Sequence, residues 1–183
     1  DKIHVVLGHE SKQVQEYLSR RETSTAIGIV RQDQQLGTGH AVQQTLDQID
    51  PSNQPDSLLV LYGDVPLITT ETLLDLIDQD KETLSLITLK TGSPDNLGRI
   101  IRTDNGAIAA IVEDKDATDD QRLIEEVNTG IMLAPVAKLR EWLGELTNDN
   151  NQGEYYLTDI VAHAVGEGFG VESISASDEF EVQ

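Results

Sequence analysis

The chain has 183 residues, enough for one domain with a sizeable core and too few for two full ones. Its 33 acidic and 13 basic side chains leave a formal net charge of −20, which repels nucleic acid and anionic membrane, so neither is an expected partner. Cysteine is absent, which excludes disulfides, thiolate metal sites and a cysteine nucleophile.

No apolar run approaches the roughly 18 residues of a membrane helix, and no signal peptide is visible, so the expected location is the cytoplasm. The apolar fraction is 38%, spread in short blocks, which predicts a folded chain despite the charge.

In chain order, Ile3 to Leu7 reads as a strand with a tight exit at Gly8, and Val14, Tyr17 and Leu18 sit at helical spacing. Ala26 to Val30 is a second apolar strand. Thr38 to Ile49 then repeats Ala41, Val42, Thr45, Leu46 and Ile49 on one helical face. Asp50 to Asp56 holds two prolines and is a loop. Leu58 to Tyr62 is apolar without alternation, as expected of the centre of a parallel sheet buried on both faces. A helix carrying Leu73, Leu74 and Ile77 and a strand from Leu84 to Leu89 follow.

From Arg99 the pattern changes. Two strand-like runs flank Asp104-Asn105-Gly106, a hairpin signal because Asn-Gly accepts positive φ. Gly130 to Ala134 is strand-like, and Val136, Leu139, Leu143 and Leu146 mark a helix. Thr147 to Gly153 is a polar loop before a helix from about Leu157 to Glu167 and a strand near Val171 to Ile174. Alternating strands and helices predict an α/β fold with a mostly parallel sheet, followed by a hairpin-containing part.

Two segments fall where open α/β sheets bind ligands, beyond the carboxyl ends of strands. Gln32 to His40 contains Gly37 and Gly39 and enters a helix. It is either a backbone approach to a ligand, with Gln32 or Gln35 pairing with a nucleobase edge, or an ordinary glycine turn. Asp64, directly after an apolar strand, is either a metal ligand or base, or a cap for the next segment. Glu113 and Asn128-Thr129-Gly130 read more simply as a strand end and a turn. The run Asp114 to Asp120 reads as a solvated loop, and His40 as packing; the four histidines show no metal-ligand spacing and no nucleophilic triad is visible.

Taken together, these segments resemble one family. Gln35-Leu36-Gly37-Thr38-Gly39-His40-Ala41, Leu61-Tyr62-Gly63-Asp64-Val65-Pro66-Leu67 and Gly98-Arg99-Ile100 occur in its order. So do Ile111-Val112-Glu113, Lys115-Asp116-Ala117-Thr118, Asn128-Thr129-Gly130 and the run from Gln152 to Asp159. The ordered set resembles the uridyltransferase half of the bacterial bifunctional N-acetylglucosamine-1-phosphate uridyltransferase and glucosamine-1-phosphate acetyltransferase, over essentially the whole chain.

The resemblance implies a Rossmann-like nucleotidyltransferase domain in the cytoplasm, using Mg²⁺. UTP and N-acetylglucosamine 1-phosphate would give UDP-N-acetylglucosamine and pyrophosphate for peptidoglycan and cell-wall synthesis. By that match Gln32, Gly37 and Thr38 hold the uracil end, Tyr62 and Gly63 line the site, Asp64 binds magnesium, and Gly98, Glu113 and Asn128 contact the sugar.

The family also carries a glycine-rich loop with an arginine and a lysine before the segment matching Asp1, and a further magnesium ligand, an asparagine, beyond that matching Gln183. The expectation is therefore a single, incomplete nucleotidyltransferase domain over residues 1–183, cut at both ends and impaired in turnover. The whole protein would be a homotrimer through its acetyltransferase half. Two alternatives stand beside this: a related hexose-1-phosphate nucleotidyltransferase, and a non-catalytic fragment that binds a sugar nucleotide.

Overall fold

A computed structural model describes residues 2–8, 11–80, 82–94, 96–176 and 178–182. Strands β1 (Lys2–Leu7) and β2 (Ala26–Arg31) pair in parallel, with Val5 opposite Ile29, joined through helix α1 (Lys12–Ser19). A second sheet holds β3 (Ser57–Val60), β4 (Thr83–Lys90), β5 (Arg99–Arg102), β6 (Ile108–Val112), β7 (Glu126–Pro135) and β8 (Gly170–Ser175). Its order is β6-β5-β7-β4-β8, with β3 also paired to β7. Helices α2 (Thr38–Leu46), α3 (Thr70–Ile77), α4 (Asp119–Arg122), α5 (Val136–Glu145) and α6 (Ile160–Gly166) complete the α/β architecture.

The α/β class is as the sequence predicts, but the larger sheet is mixed. β4 and β8 run parallel, whereas β7 is antiparallel to β3, β4 and β5, and β5 to β6. The strand buried on both faces is not β3 either: its four residues are half-buried, and among the described residues it pairs with β7 alone. The two-sided centre is β4 with β7. Leu84, Leu86, Met132 and Ala134 point into one cluster, and Ile87, Leu89, Ile131 and Leu133 into the other. The period-2 alternation of a strand divides its apolar residues between the faces in this way.

The larger cluster lies under α2, α5 and α6, where fully buried Trp142 meets Phe169 edge-on at 5.2 Å between ring centres. Arg140 of α5 closes the carboxyl end of α2. Its Nη2 donates to the carbonyls of Leu46 (2.8 Å) and Ile49 (2.9 Å), groups that a helix end leaves without partners.

The 99–112 hairpin forms as expected, though by a different turn. Gly106 alone takes positive φ (+86°), Gly106 N donates to Thr103 O and Thr103 N to Ala107 O, and the register slips between Ile101 and Arg102. One left-handed glycine after the turn suffices when a bulge absorbs the extra residue. The acidic run after it is more ordered than a solvated loop. Thr118 and Gln121 form a reciprocal capping box on α4, Asp114 pairs with Arg99, and Asp116 accepts bonds from Asn151 N (3.0 Å) and Tyr156 OH (3.0 Å). Asp1 and Gln183, the residues at the two ends, lie outside the described residues, as does His9.

Candidate functional site

A cleft of about 320 Å³ opens beyond β3, β4 and β7. Tyr62, Asp64, Gly98, Glu113 and Asn128 line it with Asn96, Leu97, Thr129 and Gly130. Five residues singled out in the sequence thus come to one cavity from chain positions 62 to 128. Gln32, Gly37, Thr38 and Gly63 are not among its lining residues.

The wall under Tyr62 depends on an irregularity in β7. Its register with β4 runs from Leu86 opposite Met132 to Thr88 opposite Asn128, so Thr129, Gly130 and Ile131 face the single Ile87. The buried Thr129 hydroxyl donates to Ile87 O (2.8 Å) and accepts from Ile131 N (3.3 Å), satisfying groups that the bulge takes out of the ladder. Gly130 sits at φ +82°, and a Cβ there would lie 2.5 Å from the Tyr62 ring. The ring therefore lies directly on the glycine backbone. Burial pushes the Tyr62 phenol up to about 12, helped by the charges of Glu113 and Asp64 and opposed by hydrogen bonding from Thr38. At neutral pH it is a protonated donor.

Asn128 holds the opposite side. Its N–H donates to Gly98 O (2.8 Å), and its side chain is 7% exposed with an Oδ1 that has no hydrogen-bond partner. An unpaired buried amide oxygen is unfavourable by about 1–3 kcal/mol unless something donates to it. Gly98 precedes Arg99, whose guanidinium is buried, bonds the Leu97 carbonyl and reaches Asp114 at 3.1 Å. That pair fixes the backbone around Gly98 from beneath.

Glu113 ends the hairpin and is half-buried. Burial raises its pKa above the usual carboxylate range, as do Asp159, Asp116 and Asp114, while a hydrogen bond from Thr158 opposes the rise. Its Oε1 accepts from the Thr158 hydroxyl at 2.8 Å. A Cβ on Gly98 would come within 3.5 Å of both carboxylate oxygens, so the bare glycine leaves the carboxylate open to the cleft.

The Gln32–His40 turn stands beside this cavity, tied to it through Thr38. Gln32 is 9% exposed, and its Nε2 lies 3.0 Å from both Gly37 O and His40 Nδ1, so this amide braces the turn. Gly37 adopts φ +111°, ψ 175°, a region open essentially to glycine, and a Cβ there would lie 2.6 Å from Tyr155 O. Tyr155 N donates to Leu36 O and Gly39 N to Tyr155 O, both at 2.8 Å. The Thr38 hydroxyl accepts from Leu157 N (3.0 Å) and lies near enough to Tyr62 to oppose the rise of its pKa.

Sequence reasoning gave no role to Tyr155–Thr158 or to Arg99. The signal was present as two tyrosines, a leucine and a threonine in one block, but only the tertiary contacts show what they hold.

Asp64 is exposed on the rim. Among the described residues no three His, Asp or Glu side chains group as a metal site. A single carboxylate suits Mg²⁺, which takes one or two protein carboxylates and completes its shell with water and substrate phosphates. Among the described residues no helix is long and apolar enough to cross a membrane.

This sheet and its helices make a fold shared with a solved nucleotidyltransferase structure. The inositol-1-phosphate CTP transferase from T. maritima superposes with a TM-score of 0.69 over 93% of this chain and 64% of that one, at 13% identity. No family model matches the chain. Individual relatives do. The bifunctional protein GlmU of Pseudomonas aeruginosa (strain LESB58) is 50% identical over 184 residues, covering 100% of this chain, and that of Pseudomonas syringae pv. tomato is 48% identical over 182. The chain is similar to these GlmU sequences along its whole length, and it spans 39% of the length of the first of these relatives.

Proposed function

We propose that the chain is part of a sugar-1-phosphate nucleotidyltransferase that joins UTP and N-acetylglucosamine 1-phosphate to give UDP-N-acetylglucosamine and pyrophosphate. The observation carrying this reading is the wall made by Asn128 and Glu113: a buried amide oxygen without a partner beside a carboxylate with one oxygen unbonded. Such a wall suits a ligand rich in hydroxyl and amide donors, as an acetamido sugar is. Relatives at 50% identity and a nucleotidyltransferase fold support the class.

In the reaction a phosphate oxygen of the sugar 1-phosphate attacks the α-phosphorus of UTP in line, a new P–O bond forms, and the bond to pyrophosphate breaks. Positioning and charge neutralisation dominate such chemistry, and no covalent protein nucleophile is required. Gln32, Gly37 and Thr38 hold the uracil end, with Gln32 also bracing its own turn. Tyr62 and Gly63 form the floor, and the phenol donates a hydrogen bond. Gly98 leaves room for the sugar, Glu113 accepts from its hydroxyls, and Asn128 accepts from a further donor. Asp64 would hold Mg²⁺, which when bound would supply neutralisation of phosphate charge.

Among the described residues that line the cleft none is Lys or Arg. The reading also places the chain in a longer cytoplasmic, trimeric enzyme of cell-wall precursor synthesis, with a basic triphosphate grip supplied elsewhere in that enzyme and slow turnover by this segment alone. Titration of Glu113→Ala with UDP-N-acetylglucosamine and with UMP tests it. A hydrogen bond to a charged group contributes about 1.5–3 kcal/mol, so the sugar nucleotide should bind roughly tenfold or more weakly while UMP is unaffected. Unchanged binding of both ligands refutes the sugar assignment. A pyrophosphate-release assay separates enzyme from binder.

A further inference from the structure

We propose that Thr158 is a positioning residue, one that fixes the Glu113 carboxylate toward the sugar side of the cleft. The proposal deepens the functional reading above and rests on it. Among the described residues the Thr158 hydroxyl is the one hydrogen-bond donor to Glu113, at 2.8 Å to Oε1. The groups around that carboxylate are otherwise acidic: Asp114, Asp116 and Asp159, with the phenols of Tyr62 and Tyr156. Arg99, next to Gly98, is paired with Asp114, and Lys115 with Gln152.

A glutamate so placed is pushed outward by its like-charged neighbours. Fixing its rotatable side chain costs rotamer freedom. One short bond to a rigid donor holds it in place, and Oε2 remains to meet a ligand.

The donor is rigid because of where it sits. Thr158 is 2% exposed, so it meets no ligand itself. It belongs to a 3₁₀ turn, Leu157–Asp159, flanked by fully buried Leu157 and Ile160. Leu157 N is tied to the Thr38 hydroxyl, and Tyr156 OH donates to Asp116. The residue bearing the donor is thus one peptide away from the bond that anchors the nucleotide turn. A β-branched side chain in such a seat has little rotamer freedom, so its hydroxyl direction is set by the fold.

The test compares Thr158→Val, which keeps the shape and removes the donor, with Thr158→Ser, which keeps the donor and removes a methyl. Each is titrated with UDP-N-acetylglucosamine and with UMP, and thermal unfolding checks the fold. Thr158→Val should weaken the sugar nucleotide about tenfold, leave UMP within about twofold, and add nothing in a Glu113→Ala background; Thr158→Ser should retain wild-type affinity. A packing role reverses this pattern, with Val tolerated and Ser not, and overturns the proposal. So does an equal loss for both ligands. If Thr158→Val does not fold, loss of sugar binding by folded Thr158→Ser is the overturning result. If Glu113→Ala leaves sugar-nucleotide binding intact, the reading beneath the proposal fails and the proposal with it. If Glu113→Ala weakens binding and Thr158→Val does not, the proposal alone fails.

Discussion

Gly130→Ala should destabilise the chain by an amount that Tyr62 largely sets. At φ +82° an L-residue is in the left-handed region, at a cost of about 1–2 kcal/mol, offset in part because alanine has less unfolded-state freedom to lose. The new Cβ would lie 2.5 Å and 2.7 Å from ring carbons of Tyr62, well inside van der Waals contact. Relieving that overlap by moving a packed ring adds about 1–3 kcal/mol. The sum is about 2–4 kcal/mol, or a fall in Tm of about 4–16 °C for a chain of this size.

Thermal and urea unfolding followed by circular dichroism, on Gly130→Ala with and without Tyr62→Ala, separates the two parts. Without the ring only the backbone cost of about 1 kcal/mol should remain, a coupling of about 1–3 kcal/mol between the sites. Equal losses in both backgrounds would refute the steric argument. A Gly130→Ala chain as stable as wild type would refute the left-handed backbone as well.

Gly37→Ala should cost still more, because its Cβ meets backbone at Tyr155 O (2.6 Å) instead of a movable ring; unfolding midpoints of the two variants in parallel give the comparison. Mg²⁺ should strengthen UTP binding to the unsubstituted chain and have no effect on Asp64→Asn; titrations with and without Mg²⁺ that agree for both forms would remove Asp64 as a ligand. Glu113 has a raised carboxyl pKa in the fold, so ionising it destabilises the protein as pH climbs from the ordinary carboxylate range through that raised value. Glu113→Gln should therefore melt higher than wild type at neutral pH and gain nothing in acid, and a gap constant with pH would refute the burial argument.

Much of this protein was determined locally and could be read from the chain. Helix α5 shows its apolar face at Val136, Leu139 and Leu143, all buried as the 3.6-residue period requires. The 99–112 hairpin follows from its Asp-Asn-Gly turn, and the ordered blocks around Asp64, Glu113 and Asn128 point to a shared cleft. Five of the nine site residues named from sequence line that cleft.

What periodicity could not decide was the partner of each strand. An uninterrupted apolar run such as Leu58 to Leu61 says that a strand avoids water, but not which neighbour covers it. The direction of β7 depends on chain segments far apart in sequence meeting β3, β4 and β5 at once, so the sheet came out mixed, with β4 and β7 at its centre.

The same holds at the site. Glu113 and Asp64 are both carboxylates beyond strand ends, yet one is half-buried under a threonine and the other lies on an exposed rim. Gly130 reads as a turn residue until the Tyr62 ring is seen lying on it. Side-chain identity fixes what a group can donate or accept. Burial and the neighbour brought from 45 residues away, as Thr158 is brought to Glu113, are tertiary facts, and they decide which of those capacities is left for a ligand.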